Sequence, residues 1–219
     1  MRRIALPGAL TVAVCLALAA CTNAGDSGPA VAQERGVDAF HSIELRGAAT
    51  LDVLVGAQQS VVVEASADTQ QRVSTAVRNG KLTVDHKGGG WLWQPPPGEL
   101  KLRITLPKLN SLTLNGAGKI TVNGLDGGAT SIVMSGAGEI EASGRLDTLT
   151  ARINGAGSAD LSRVQATDAE VVVNGAGSLS VNATGQLDAK LNGVGSITYE
   201  GTPRVLNSAI NGVGSIARR

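Results

Sequence analysis

Apolar and polar residues alternate along most of this chain, and from residue 111 onward glycine interrupts the alternation at regular intervals. Leu112, Leu114, Ile120 and Val122 stand two apart in two short runs, with Asn115-Gly116-Ala117-Gly118 between them. Apolar residues at a spacing of two predict strands with one buried face. The pattern returns at Val171, Val173, Leu179 and Val181, and again around Leu191 and Ile197. A third short apolar piece follows each pair: Leu125, Leu146 with Leu149, Val164, Leu187, and Val205 with Leu206. Nothing in the repeats carries a 3.6-residue period long enough for a helix. Residues 37–110 lack the glycine quartet but keep the strand chemistry. They run from Phe40, Ile43 and Leu45 through Leu51, Val53 and Val55 to Leu100, Leu102, Ile104 and Leu106, just before Pro107.

The quartet or a close variant begins at Asn115, Ser135, Asn154, Asn174, Asn192 and Asn211, at spacings of 20, 19, 20, 18 and 19 residues. A fixed period near 19 predicts a solenoid, whose single coil cannot bury its apolar side alone. The expected fold is all-β: regular coils over 111–219, preceded by an irregular N-terminal β cap over 36–110. By parity the two glycines fall on the inward row. A pinched coil would leave no room there for a side chain, and a sharp corner would use positive φ. Stacked coils lie roughly 4.8 Å apart, so identical side chains come into register. Asn115, Ser135, Asn154, Asn174, Asn192 and Asn211 are therefore expected to form an amide ladder with Ser135 as its one defect. The plainer alternative is that each Asn satisfies only its own turn. Arg219 follows the sixth Gly-x-Gly by five residues. An uncovered last coil is an open strand edge, so weak end-to-end self-association is expected.

The first residues read as a targeting segment. Arg2 and Arg3 precede an apolar run from Ile4 to Ala20 that Pro7 and Gly8 interrupt. It is too short for a comfortable membrane span. Its end, Leu18-Ala19-Ala20-Cys21, resembles the bacterial lipobox. That resemblance implies a signal peptide over 1–20 and a lipid anchor on Cys21; an ordinary signal peptide cut near Ala20 is the alternative. Thr22 stands where Asp would signal inner-membrane retention, which favours the outer membrane. Residues 21–35, rich in Ala, Gly, Ser and Asp, read as a flexible tether. Cys15 and Cys21 are the two cysteines. Cleavage and acylation remove both thiols from the folded body, so neither disulfides nor Cys-ligated metals are expected. Nineteen Lys and Arg against 18 Asp and Glu give a net charge of +1. Loss of Arg2 and Arg3 brings it to −1, which offers no long-range field to nucleic acid.

Candidate chemistry is sparse. The acidic residues of the repeats sit at unrelated azimuths. Glu139 and Glu141 share an outward row, with only Asp160 recurring there. No Ser/His/Asp set is suggested, and the Asn, Ala and Lys or Ser beside the glycines do not fit a calcium-binding repeat. No cofactor is expected. Aromatic residues are few, apart from Trp91 and Trp93 within a Gly- and Pro-rich loop from Gly88 to Gly98. Exposed Trp makes contacts, so this loop is a candidate contact site. The alternative is that both Trp fold back and plug the cap.

The lipobox, the opening Phe40-x-x-Ile43, the Pro107-Lys108-Leu109 step and the serial Asn-Gly-Ala-Gly coils together resemble the bacterial head GIN domain family, described as auto-transporter adhesins. The resemblance spans about residues 36–217 and implies a right-handed parallel β-helix-like body with no catalytic motif. The resulting expectation is a non-catalytic envelope lipoprotein acting as a binding, adhesion or scaffold module toward an envelope protein or glycan. A carbohydrate-active β-helix enzyme is the second reading.

Overall fold

In the computed structural model, residues 29–56, 58–86 and 99–219 are described. Their alternation produces eleven strands: β1 (Val31–Glu34), β2 (Ser42–Val55), β3 (Ser60–Ala65), β4 (Val73–Arg78), β5 (Lys81–His86), β6 (Lys101–Leu106), β7 (Ser111–Asp126), β8 (Ala129–Ala183), β9 (Gln186–Glu200), β10 (Val205–Ile210) and β11 (Val213–Arg218). The one helix among the described residues, α1 (Ala67–Arg72), follows β3 and is capped by Ser66, whose side chain accepts from the Thr69 amide. All eleven strands belong to one mixed sheet, with the main path β1-β3-β6-β2-β7-β8-β9-β10.

The strand segments around each quartet pair in parallel and in register, with a shift after Val122 in the pairing of β7 with β8. Ser111 to Val122 lie opposite Ser131 to Ala142. Ala169 to Asn182 lie opposite Leu187 to Glu200. Val205 to Ile210 and Val213 to Arg218 return to β9 as β10 and β11. Leu112, Leu114, Ile120 and Val122 are fully buried, and both apolar rows join one hydrophobic core cluster with their counterparts in later repeats. Each buried Leu or Ile contributes about 1.5–3 kcal/mol relative to exposure.

The glycines are required for a reason different from an interior pinch. At Gly136, φ is +143°, a conformation that side-chain-bearing residues rarely adopt. A β-carbon there would land on the carbonyl oxygen of Gly116, and one at Gly155 would land on that of Gly136. The obstruction runs across the sheet, from the neighbouring repeat's backbone. The core intrudes only in places, as where Met134 approaches Gly157.

Two further features depart from the sequence reading. Val31–Glu34, expected within the tether, pair antiparallel with β3. The second is β2, expected within the irregular cap. It is in register with β7 from Ser42 to Leu54, so Arg46-Gly47-Ala48-Ala49 occupies the place of the first quartet. Two separate strands cover the other edge of β2: β5 along Ser42–Leu45 and β6 along Thr50–Val55. These continue antiparallel into β4 and into β3 and β1.

Candidate functional site

With the apolar rows turned to the core, the intervening side chains form ordered outward rows. Along the quartet row, the Asn174 amide donates to Asn154 Oδ1 at 2.8 Å, Asn192 to Asn174 at 2.8 Å, and Asn211 to Asn192 at 3.0 Å. Asn115 donates instead to Glu44 Oε1 at 3.0 Å. Ser135 sits in register with Asn115. The amide run therefore covers Asn154, Asn174, Asn192 and Asn211, and Asn115 belongs to a different network.

That network centres on Glu44, which replaces the Thr113 of the next repeat on the same outward position. Its side chain is 10% exposed and accepts from Arg46 Nε at 2.8 Å and Lys81 Nζ at 3.4 Å. The Arg46 hydrogen bond, helped by the charges of Arg46 and Lys81, holds the carboxyl below its ordinary value against the opposing effect of burial. Glu44 thus locks β2 to β5 and β7. Sequence reading missed both β2 as a repeat and Glu44. The signal was present: Ile43, Leu45, Leu51 and Val53 carry the spacing of Leu112, Leu114, Ile120 and Val122 around Gly47-Ala48.

On the second strand of each repeat, Glu139 and Glu141 are brought together, but as partners of cations. Lys119 Nζ lies 3.2 Å from Glu139 and 2.6 Å from Glu141, and Arg163 lies 3.0 Å from Glu141. The Lys119 hydrogen bond lowers the Glu141 pKa, with Arg163 adding to it. Asp160 accepts from the Ser162 hydroxyl at 2.6 Å and its amide at 3.1 Å. The hydroxyl bond is the leading cause of its lowered pKa. Glycoside hydrolysis needs one carboxyl kept protonated near neutral pH; Glu141 and Asp160 are shifted the other way. Among the described residues no group of three His, Cys, Asp or Glu could hold a metal ion. No described helix is long and apolar enough to cross a membrane. Cys21, Trp91 and Trp93 lie outside the described residues.

Comparison with known proteins agrees with this architecture. The family described as "Putative auto-transporter adhesin, head GIN domain" matches residues 39–203. A crystal structure of a "putative adhesin" from Bacteroides fragilis is similar with a TM-score of 0.70 at 20% identity, over 87% of this chain and 97% of that one. A "putative adhesin" from Parabacteroides distasonis gives 0.56 at 18% identity, over 89% and 98%. A "putative lipid binding protein" from the same organism gives 0.51 at 22% identity, over 88% and 97%. At these identities the likeness is one of fold. Among curated proteins, none matches the chain.

Proposed function

The chain belongs to the head GIN domain family, and from that premise we propose that it is a non-catalytic binding or adhesion module of the bacterial envelope. The observation that carries the reading is the set of outward side chains held in register from repeat to repeat, with the acidic pair Glu139/Glu141 committed to Lys119 and Arg163. Such a surface presents ordered hydrogen-bonding groups, and its Glu139/Glu141 pair is held by cations rather than left free. The offsets of 18 to 20 residues, the glycine-to-glycine contacts and the single core support a sheet wound as a right-handed parallel β-solenoid. A carbohydrate-active enzyme finds less support, because Glu139 and Glu141 are paired with Lys119 and Arg163.

The lipobox-like Leu18-Ala19-Ala20-Cys21 supports a lipid anchor on Cys21 in the outer membrane. Trp91 and Trp93 are the contact residues suggested by sequence. Leu206 and Ile210, uncovered on the last strands, favour weak end-to-end association. The test is a pull-down from envelope extracts with the intact chain, alongside the Trp91→Ala/Trp93→Ala double variant. Specific retention of an envelope protein or glycan is expected, weakened in the variant at unchanged melting temperature. Absence of any retained component would contradict the binding role. Cys21→Ser is expected to move the protein from the membrane to the soluble fraction.

A further inference from the structure

The repeats are not equally long, and the differences fall in one place. Residues 111–123, 131–143, 150–162, 170–182 and 188–200 are blocks of equal length, and they contain both strand segments of each repeat. The connecting segments that follow, 124–130, 144–149, 163–169, 183–187 and 201–206, hold 7, 6, 7, 5 and 6 residues. Variation between stacked repeats collects on a single face, and that face is often the one that binds.

The shortest connection, 183–187, stacks on one of the longest, 163–169. Backbone bonds from Thr184 to Ala166 at 3.1 Å and from Gly185 to Thr167 at 2.7 Å pin the short turn onto the long one. The mismatch leaves a groove of about 420 Å³ lined by Arg145, Gln165, Ala166, Thr167, Asn182 and Thr184. That volume lies within the range of small-ligand sites.

The groove's chemistry is one-sided. It carries a guanidinium, two amides and two hydroxyls, and no carboxylate. The other two arginines between Ser111 and Glu200 are paired, Arg152 with Glu170 at 2.8 Å and Arg163 with Glu141 at 3.0 Å. Arg145 has no acidic oxygen within 4.0 Å among the described residues, although Asp126 is its register neighbour. Among the described lining residues Ala166 is the one without a polar side-chain group. A guanidinium pairs with a carboxylate, and amides and hydroxyls match sugar hydroxyls. Resting on the binding-module reading, we propose that this groove holds a uronate-bearing oligosaccharide. Arg145 takes the carboxylate, and Gln165, Thr167, Asn182 and Thr184 take hydroxyls. The absence of an aromatic platform makes the affinity modest, so a repeating polymer gains by engaging several molecules at once.

The experiment is a calorimetric titration of the intact chain with trigalacturonate, with neutral galactotriose and inorganic phosphate as separate arms, repeated on Arg145→Gln and Thr167→Val. Trigalacturonate is expected to bind at least roughly tenfold more tightly than either other probe. Arg145→Gln should lose about tenfold and Thr167→Val a smaller factor, in keeping with one charge-assisted and one neutral hydrogen bond. Equal binding of the neutral sugar, equal or tighter binding of phosphate, unchanged binding by Arg145→Gln, or no binding of trigalacturonate at millimolar concentration would each overturn the groove. Undiminished retention of envelope material by Arg145→Gln in the pull-down, with trigalacturonate unbound, would refute the groove alone. Failure of the pull-down by the unmodified chain would refute the binding role.

Discussion

Asn174 occupies the middle of the amide run, giving one hydrogen bond to Asn154 and accepting one from Asn192. A hydrogen bond contributes about 1 kcal/mol net. Asn174→Ala should therefore cost about 1–2 kcal/mol by chemical denaturation, and Asn182→Ala, outside the run, under about 0.5 kcal/mol. Equal losses would reduce the run to a geometric regularity without energetic weight. Glu44 makes a separate prediction. Its folded pKa is lowered from 4.5, so its contribution is fully present above that value and is lost as pH falls through the lower folded one. The melting temperature should drop more steeply below pH 4.5 in the unmodified chain than in Glu44→Gln. Glu141 and Asp160 are depressed in both proteins and leave the difference intact. Parallel profiles would remove Glu44 from that role. The quartet asparagines could be read from the sequence because they recur at one period. Glu44 could not, because beyond its strand neighbour Arg46 its partners Lys81 and Asn115 reach it only through pairing of strands far apart in the chain.

At the scale of the element, the glycines separate two costs. Gly136 combines positive φ with a blocked β-carbon, whereas Gly36 has open space and no φ in the unusual region. Gly136→Ala should cost at least about 2 kcal/mol, from backbone strain and displacement of the neighbouring repeat. Gly36→Ala should fall within about 0.5 kcal/mol of the unmodified chain. Comparable melting shifts would contradict the axial-contact account. The strands themselves were legible from alternation, since Leu112, Leu114, Ile120 and Val122 show which face is buried. The short α1 escaped notice because its six residues cannot display a helical period. β1 escaped because Val31–Glu34 is exposed throughout, and only its pairing with β3 makes it a strand. The groove beside Thr184 was hidden for a related reason: unequal spacings are visible in the sequence, but a concavity requires the short and long connections to be stacked.

At the scale of the molecule, the two ends of the sheet differ. β5 and β6 cover β2, while β10 and β11 leave Leu206 at 42% and Ile210 at 46% exposure. Their register partners Leu187 and Leu191 are fully buried. Proposed end-to-end association at this face should appear as concentration-dependent sedimentation that Ile210→Lys abolishes; a monomer at every concentration would contradict it. The all-β character followed from the chain's periodicity, and the family followed from motifs of which Phe40-x-x-Ile43, Pro107-Lys108-Leu109 and five of the six quartets lie within the match over residues 39–203, while the lipobox-like segment lies outside it. The mixed N-terminal pairing did not follow, because antiparallel β1, β3 and β4 join partners that no repeat specifies. The most direct test of the stacked arrangement is a pulsed electron-paramagnetic-resonance distance between spin labels at Thr50→Cys and Ser215→Cys, with Cys15 and Cys21 replaced by Ser. Thr50, Lys119, Glu139, Ser158, Ser178, Ser196 and Ser215 stand at one position of successive repeats. Six steps at the inter-strand spacing predict a narrow distribution centred at about 29 Å, whereas a broad distribution or a maximum beyond about 40 Å would contradict in-register stacking.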